Sequence, residues 1–241
     1  MADAGMQKIS ITVCGDGGCG KSSITLRLVR SQWTHEYDPT IEDSYSVTRT
    51  LAGTTYALSL TDTAGQEEYR SLWSSSNLSS DAFLLVYDIT STSSLAALDF
   101  YVNMLEVERD NRAELGRTQP VGIVVGNKCD LQGLREVSSR EGVEWAKQRG
   151  FGFMETSARE MVNIEETFAS IIRRVVEARK NAAAGIVPEL PSSSARTTPL
   201  SPIPLDEKLA AEEAAAAEQR RNMGAKPRSR WKSTFSALKC W

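Results

Sequence analysis

Residues 15–22, with the sequence GDGGCGKS, are the stretch whose residue types and spacing point most directly to chemistry. They fit the pattern G-x-x-x-x-G-K-[ST], in which glycines let successive backbone N–H groups turn inward around phosphate oxygens. Lys21 adds a full positive charge, and the hydroxyl of Ser22 is a suitable ligand for Mg²⁺. The spacing therefore predicts a phosphate-binding loop, against the alternative of a glycine-rich turn that binds no ligand.

Two regular elements are predicted to hold this loop in place. Apolar and polar residues alternate over residues 8–14, which is the period of a β-strand. After the loop, Ile24, Leu26, Leu28 and Val29 suit the buried stripe of a helix. A helix that begins at the loop directs the positive end of its dipole toward a bound phosphate.

A polar segment and a predicted hairpin follow the first helix. Residues 33–45 have no strand or helix period before about Ser44, so they are predicted to form a loop. Residues 47–51 and 56–60 are predicted strands, joined by a tight turn. The second strand ends near Asp62, where a carboxylate after a phosphate loop suits a role near Mg²⁺. The alternative for Asp62 is an ordinary turn or helix-cap residue.

The remaining strands and helices indicate an α/β fold. Residues 83–87 and 121–125 are continuous apolar runs, as in parallel strands buried on both faces. Helical spacing between and after them completes an alternation of strands and helices, which favours a mostly parallel sheet covered on both faces. Ligands of such sheets bind beyond the carboxyl ends of the strands. The predicted further helices are marked by Leu95, Leu98, Tyr101, Val102 and Leu105, by Val143, Trp145 and Ala146, and by the apolar stripe from Ile164 to Val176.

Five segments, in this order and spacing, resemble those of the Ras-type small GTPases. They are GDGGCGKS (15–22), YDPTIEDSY (37–45), DTAGQEEY (62–69), NKCD (127–130) and ETSA (155–158). YDPTIEDSY is typical of the Ras branch and differs from the corresponding loop of Rab, Rho and Arf proteins. The resemblance covers residues 6–180 and implies a P-loop NTPase G domain with a six-stranded, mostly parallel sheet.

The resemblance also implies the ligands, GTP or GDP with Mg²⁺, and the residues that bind them. Ser22 and Thr40 are the implied metal ligands, with Asp62 supporting the ion through water. Asp130 suits guanine on chemical grounds, because one carboxylate accepts two parallel hydrogen bonds from the base. The implied nucleotide contacts are Gly15, Asp16, Gly17, Gly18, Cys19, Gly20, Lys21, Ser22, Ser23, Trp33, Thr40, Gly65, Asn127, Lys128, Asp130, Ser157, Ala158 and Arg159.

Slow hydrolysis of GTP to GDP is the implied reaction. Gln66 would orient the attacking water, Lys21 would bridge the β and γ phosphates, and Thr40 and Gly65 would sense the γ phosphate. A switch of this kind in signal transduction meets effectors, exchange factors and GTPase-activating proteins, here through residues 37–45 and 64–80. Residues 72–80 depart from the usual family sequence, and residues 106–119 are longer than usual, which predicts a surface loop extension.

Three other functions remain open from the sequence. A Rab-like trafficking GTPase is disfavoured by YDPTIEDSY, and an ATP-using P-loop kinase is disfavoured by NKCD. A nucleotide-bound scaffold with poor hydrolysis is disfavoured by the intact Gln66 and Gly17. Net charge is −3 overall, and residues 1–180 are the acidic part, so nucleic acid is not an expected partner.

Residues 181–241 are predicted to form a flexible, disordered tail because they are rich in proline and serine. Residues 205–222 suit a transient helix. Residues 226–241 carry basic side chains with interspersed aromatics and no acid, which suits the anionic cytoplasmic face of the plasma membrane, the alternative being a solvated tail. Cys240 is next to last and not fourth from the end, so the sequence does not match C-a-a-X, and a variant or truncated ending is one alternative.

The amino terminus and the cysteines favour a cytoplasmic setting. Residues 1–7 have no apolar segment of the kind found in signal peptides. Cys14, Cys19 and Cys129 have neither CxxC nor zinc-site spacing, so they are predicted to be small packing residues in a reducing compartment.

Overall fold

The computed structural model describes residues 6–31, 42–63 and 78–186. The chain divides into two units, Met1–Ser193 and Ser194–Trp241, and all the described residues belong to the first. The strands are β1 (Gln7–Gly15), β2 (Glu42–Leu51), β3 (Thr54–Thr63), β4 (Ala82–Asp88), β5 (Val121–Asn127) and β6 (Gly152–Glu155). The helices are α1 (Lys21–Arg30), α2 (Thr92–Ala96), α3 (Leu98–Glu114), α4 (Ser139–Gln148) and α5 (Ile164–Ala183), with a 3₁₀ turn at Gln132–Leu134.

The six strands form one sheet in the order β2-β3-β1-β4-β5-β6. Within the described residues, β2 and β3 pair antiparallel, and the other strand pairs are parallel. This confirms the predicted mostly parallel, six-stranded α/β fold. Strands β1, β3, β4 and β5 run in one direction, so their carboxyl ends lie along one side of the sheet, here called the carboxyl edge. Ligands of such sheets bind beyond these ends. The residues at this edge include Gly15, Asp62, Asp88 and Asn127.

Apolar side chains pack on both faces of the sheet. On one face, α1 and α5 bury Ile24, Leu28, Phe168 and Ile171 against β1, β3 and β4. On the other face, α2, α3 and α4 cover the sheet, and Tyr101 is fully buried. The predicted helix stripes are therefore real core faces, with the exception of Val143, which is 43% exposed on α4.

Two boundaries in the middle of the chain differ from the sequence predictions. Strand β2 begins at Glu42, before the predicted end of the preceding loop, because its ladder with β3 pairs Glu42 with Thr63. The expected surface loop at residues 106–119 is wrong for residues 106–114, since α3 continues to Glu114. Residues 106–114 are mostly good helix formers, and an ion pair between Glu108 and Arg112 of 2.6 Å supports the last turns of α3.

The final helix and the tail bear on the predicted domain boundary. Helix α5 continues to Ala183, beyond the predicted end of the G domain at residue 180. Residues 187–241, with the predicted transient helix and basic end, lie outside the described residues. The domain division therefore stays a prediction. In the part of the chain that the structure describes, no helix is both long enough and apolar enough to cross a membrane.

Candidate functional site

The glycine-rich loop joins β1 to α1 through backbone that side chains would obstruct. Gly15 and Gly20 both have positive φ angles, 146° and 94°. A Cβ atom on Gly15 would collide with the carbonyl oxygen of Val86, and one on Gly20 would collide with the side-chain amide of Asn127. Glycine is therefore required here by close packing as well as by backbone conformation.

Lys21 is the first residue of α1 and is only 6% exposed. Its ammonium donates a hydrogen bond to the carbonyl of Asp16, 2.8 Å away, so the side chain folds back over the loop. The helix N-terminus contributes further positive potential at the same place. Together these groups form a cradle for an anion, with the hydroxyl-bearing residues Ser22 and Ser23 in the first helical turn.

Asp62 lies at the carboxyl end of β3 and is fully buried. Neither of its carboxylate oxygens has a hydrogen-bond partner among the described residues. Burial raises the pKa of this carboxyl to about 6, although the Ser22 hydroxyl and the Lys21 charge oppose the shift. A buried carboxylate with unused oxygens beside a serine hydroxyl fits Mg²⁺, which prefers oxygen ligands and needs only one or two protein groups besides phosphate and water.

Asn127 joins three segments at the end of β5. Its side-chain nitrogen donates to the carbonyl of Cys19 at 2.9 Å. Its side-chain oxygen accepts from the hydroxyl of Thr156 at 3.1 Å and from the backbone N–H of Ala158 at 3.3 Å. This buried amide therefore ties the phosphate loop to the segment that follows β6, which fixes the distance between the two halves of the site.

A second carboxylate, Asp130, lies three residues after Asn127 and is half-buried. The hydroxyl of Ser157 donates to its Oδ1 atom at 2.6 Å, and the same hydroxyl accepts the N–H of Glu160 at 2.9 Å. Lys128 has a left-handed backbone, with φ at 65°, and its ammonium pairs with Asp88 at 2.6 Å. The structure thus orients Asp130 through Ser157, a role that the sequence analysis did not foresee.

Two further contacts at this site carry no sequence signal. The hydroxyl of Tyr101, a residue predicted only as part of an apolar helix face, donates to the carbonyl of Gly15 at 3.1 Å. Arg27 of α1 hydrogen-bonds to the carbonyls of Ala158 and Arg159, more than 130 residues away in the chain. No local spacing could have indicated either contact.

The predicted site residues divide into two groups. One group converges at the carboxyl edge of the sheet. It consists of the phosphate-loop residues, Asp62, and the predicted residues in the segments 127–130 and 157–159. Trp33, Thr40, Gly65 and Gln66 lie outside the described residues, so their predicted roles stay predictions. Among the described residues, no group of three or more His, Cys, Asp or Glu side chains could hold a metal ion.

Comparison with known proteins identifies a family that matches most of the described residues. The family model described as Ras family matches residues 10–177. The chain is 40% identical over 170 residues to Ras-like protein 1 of Saccharomyces cerevisiae (strain ATCC 204508 / S288c). That alignment covers 70% of this chain and 53% of the yeast protein, so the chain spans about half the length of the curated relative it matches. The match over most of the described domain, with the phosphate cradle and Asp130 at one sheet edge, shows that the chain belongs to the Ras family of small GTPases.

Proposed function

We propose that this protein is a molecular switch in signal transduction that binds GTP with Mg²⁺ and hydrolyses it slowly to GDP. The main support for this proposal is that Asn127 connects two parts of the site. One part is the buried anion cradle, and the other is the segment whose Ser157 orients the carboxylate of Asp130. The cradle of Lys21 and the glycine loop suits phosphates, and Asp130 suits a guanine base. The two halves together fit one guanine nucleotide.

Base recognition follows from the donors and acceptors at Asp130 and Ala158. The carboxylate of Asp130 accepts from the guanine N1–H and the exocyclic amine, a pair of donors that adenine lacks. The backbone N–H of Ala158 donates to the guanine O6 atom. Trp33 and the stem of Lys128 pack against the ring, and Ser157 keeps Asp130 in position.

The phosphate-loop half of the site would bind both the phosphates and the metal ion. Lys21 contacts the β and γ phosphates, and the loop N–H groups from Gly15 to Ser23 surround the remaining oxygens. Ser22, Thr40 and Asp62 would hold Mg²⁺, with Asp62 acting through water. When bound, the ion would neutralise charge on the phosphate oxygens.

Hydrolysis breaks the bond between the γ phosphorus and its bridging oxygen, with water as the nucleophile and phosphate and GDP as products. Gln66 positions that water, while Thr40 and the N–H of Gly65 contact the γ phosphate. Residues 33–45 contain no arginine or lysine to stabilise the transition state in cis, so hydrolysis is slow without a partner. Loss of the γ phosphate releases the contacts of Thr40 and Gly65, and effectors, exchange factors and GTPase-activating proteins meet the chain at residues 37–45 and 64–80.

The test compares nucleotides by direct binding and by phosphate release. We expect tight, Mg²⁺-dependent loading of GTP and GDP, no loading of ATP, and loss of retention on chelation. Asp130→Asn should lower GTP affinity on the order of a hundredfold and favour xanthosine triphosphate, whose C2 oxygen needs a donor. The matched control is Asp110→Asn, an exposed carboxylate on α3. An unchanged guanine preference in Asp130→Asn would contradict the assignment, and absence of phosphate release would favour a nucleotide-bound scaffold.

We also propose that the basic end at residues 226–241 holds the protein to the anionic cytoplasmic face of the plasma membrane. The support is sequence alone: five Lys or Arg side chains with aromatic neighbours, each basic charge contributing about 1 kcal/mol near such a surface. A lipid on Cys240 would make the association durable. We expect the Cys240→Ser variant to be removed by a high-salt wash. Full retention of that variant in high salt would rule the proposal out.

A further inference from the structure

Arg27 of α1 links the helix that begins at the phosphate loop to the segment that follows β6. Its Nε atom donates to the carbonyl of Ala158 at 2.6 Å and its Nη2 atom donates to the carbonyl of Arg159 at 2.7 Å. Its Nη1 atom donates to the carbonyl of Ser31 at 3.1 Å, just beyond the end of α1. One planar guanidinium thus holds three backbone carbonyls from two parts of the chain.

The contact with the Ala158 carbonyl determines the direction of one backbone N–H in the segment, that of Arg159. A peptide unit is planar and trans, so a carbonyl of Ala158 that faces Arg27 turns the N–H of Arg159 to the opposite side. The N–H of Ala158 itself lies at 3.3 Å from the side-chain oxygen of Asn127. The segment is therefore held from one side by Arg27 and from the other by Asn127.

The segment needs such support because its own backbone is unfavourable. Met161 has a left-handed φ angle of 59°, in a turn closed by a β-bridge between Ser157 and Val162 and by a hydrogen bond from the N–H of Glu160 to the Ser157 hydroxyl. Left-handed conformations are disfavoured for residues with a Cβ atom and persist only where surrounding contacts hold them. The hydrogen bonds of Arg27 are contacts of this kind, because each joins a charged donor to a backbone carbonyl.

We propose that Arg27 is a positioning residue for base recognition, which keeps the N–H of Arg159 turned away from α1 and directed at the O6 atom of a 6-oxopurine nucleotide. This inference rests on the proposed function, in which that segment contacts the base. Arg27 itself touches neither base nor phosphate. It lengthens the residence time of the nucleotide by holding the segment that does.

The experiment measures dissociation of two fluorescent nucleotides from the full chain, with excess unlabelled GDP. One is ribose-labelled GDP, and the other is the same label on 2-aminopurine riboside diphosphate, which keeps the exocyclic amino group but lacks both O6 and the N1–H. We expect Arg27→Ala to speed GDP release on the order of tenfold, which corresponds to about 1.4 kcal/mol. Release of the analogue should change less than twofold, because the contact that Arg27 positions is missing from it.

Two further variants separate positioning from folding. Arg27→Lys keeps the charge but reaches one carbonyl at a time, so we expect GDP release between the wild-type and Arg27→Ala rates. The matched control is Arg140→Ala, an arginine whose side chain is 86% exposed and pairs within its own helix. It should release both nucleotides at the wild-type rate.

The possible outcomes are distinct. Equal acceleration for both nucleotides would show a general loosening of the fold and would overturn the positioning role. GDP release from Arg27→Ala at the wild-type rate would overturn it as well, while leaving the proposed function intact. Wild-type protein that fails to retain GDP at all would contradict the proposed function itself.

Discussion

Two aspartates at opposite edges of the sheet show how differently the two ends of the molecule are built. Asp81, next to the amino end of β4, accepts hydrogen bonds from the N–H and the hydroxyl of Ser10, both at 2.9 Å. Its other oxygen pairs with Arg179 of α5 at 2.9 Å. Asp62, at the carboxyl end of β3, is more deeply buried and yet has no hydrogen-bond partner among the described residues.

This difference separates carboxylates that stabilise the fold from a carboxylate that is suited to bind a ligand. Buried charges in native proteins are normally paired, because an unpaired one loses its hydration without compensation. Glu155 follows this rule, since it shares the carboxyl edge with Asp62 but accepts hydrogen bonds from both Nη atoms of Arg135, at 2.7 and 3.0 Å. Asp81 is paired in the same way although its side chain is 29% exposed. Asp62 breaks the rule. A carboxylate left unpaired beside a phosphate cradle is therefore better explained by a ligand than by the stability of the fold.

The first test of the contrast between Asp62 and Asp81 is nucleotide binding, where we expect the largest effect. Asp62→Asn removes the charge that we propose to support Mg²⁺ through water, and loss of such a group costs on the order of 10- to 100-fold in metal affinity. We expect GTP affinity measured in Mg²⁺ to fall by a similar factor, and GTP affinity measured in EDTA to stay near the wild-type value. An equal loss under both conditions would contradict a role through the metal.

The same substitution should have the opposite effect on the nucleotide-free, metal-free protein. The pKa of Asp62 is about 6 in the folded state and about 4 in the unfolded chain, so the folded state binds more protons between those values. The free energy of unfolding should therefore fall as pH rises from about 4 to 6, by about 2 kcal/mol, and stay low at pH 7. We expect Asp62→Asn to abolish that dependence and to stabilise the protein at pH 7.

Urea unfolding in EDTA, at pH 5 and pH 7.5, measures this effect. A wild-type protein with the same free energy of unfolding at both pH values, or an Asp62→Asn variant less stable than wild type at pH 7.5, would contradict it. Because nucleotide and metal are absent, this experiment measures the contribution of Asp62 to the free energy of unfolding alone. Its contribution to ligand binding is measured separately.

The smallest expected effect comes from the opposite edge. Asp81→Asn keeps an acceptor for Ser10 but weakens the pair with Arg179, whose side chain is 35% exposed. We expect a loss of about 1 kcal/mol in the free energy of unfolding and GTP affinity within twofold of wild type. A nucleotide affinity that falls as far as in Asp62→Asn would show that the two edges are not independent.

The sequence by itself determined the parts of this protein that depend on local patterns. Residues 15–22 predict a phosphate loop because the spacing of glycine, lysine and serine is set by the turn itself. The alternating strands and helices predict the parallel sheet, and a parallel sheet brings Asp62 and Asn127 to one edge wherever the intervening chain goes. The same reasoning failed for residues 106–114, where the helix-forming residues were a better guide than the expected length of a loop.

Only the tertiary structure decided which side chains hold the site together. Arg27, Tyr101 and Asn127 each bond to backbone groups 86 to 132 residues away, and no local spacing encodes such a contact. Nor could the sequence show that Asp62 is unpaired while Asp81 and Glu155 are not, since all three are acidic residues beside strands. Whether a buried charge finds a partner depends on which segments meet in space, and packing of the two helix layers on the sheet sets that.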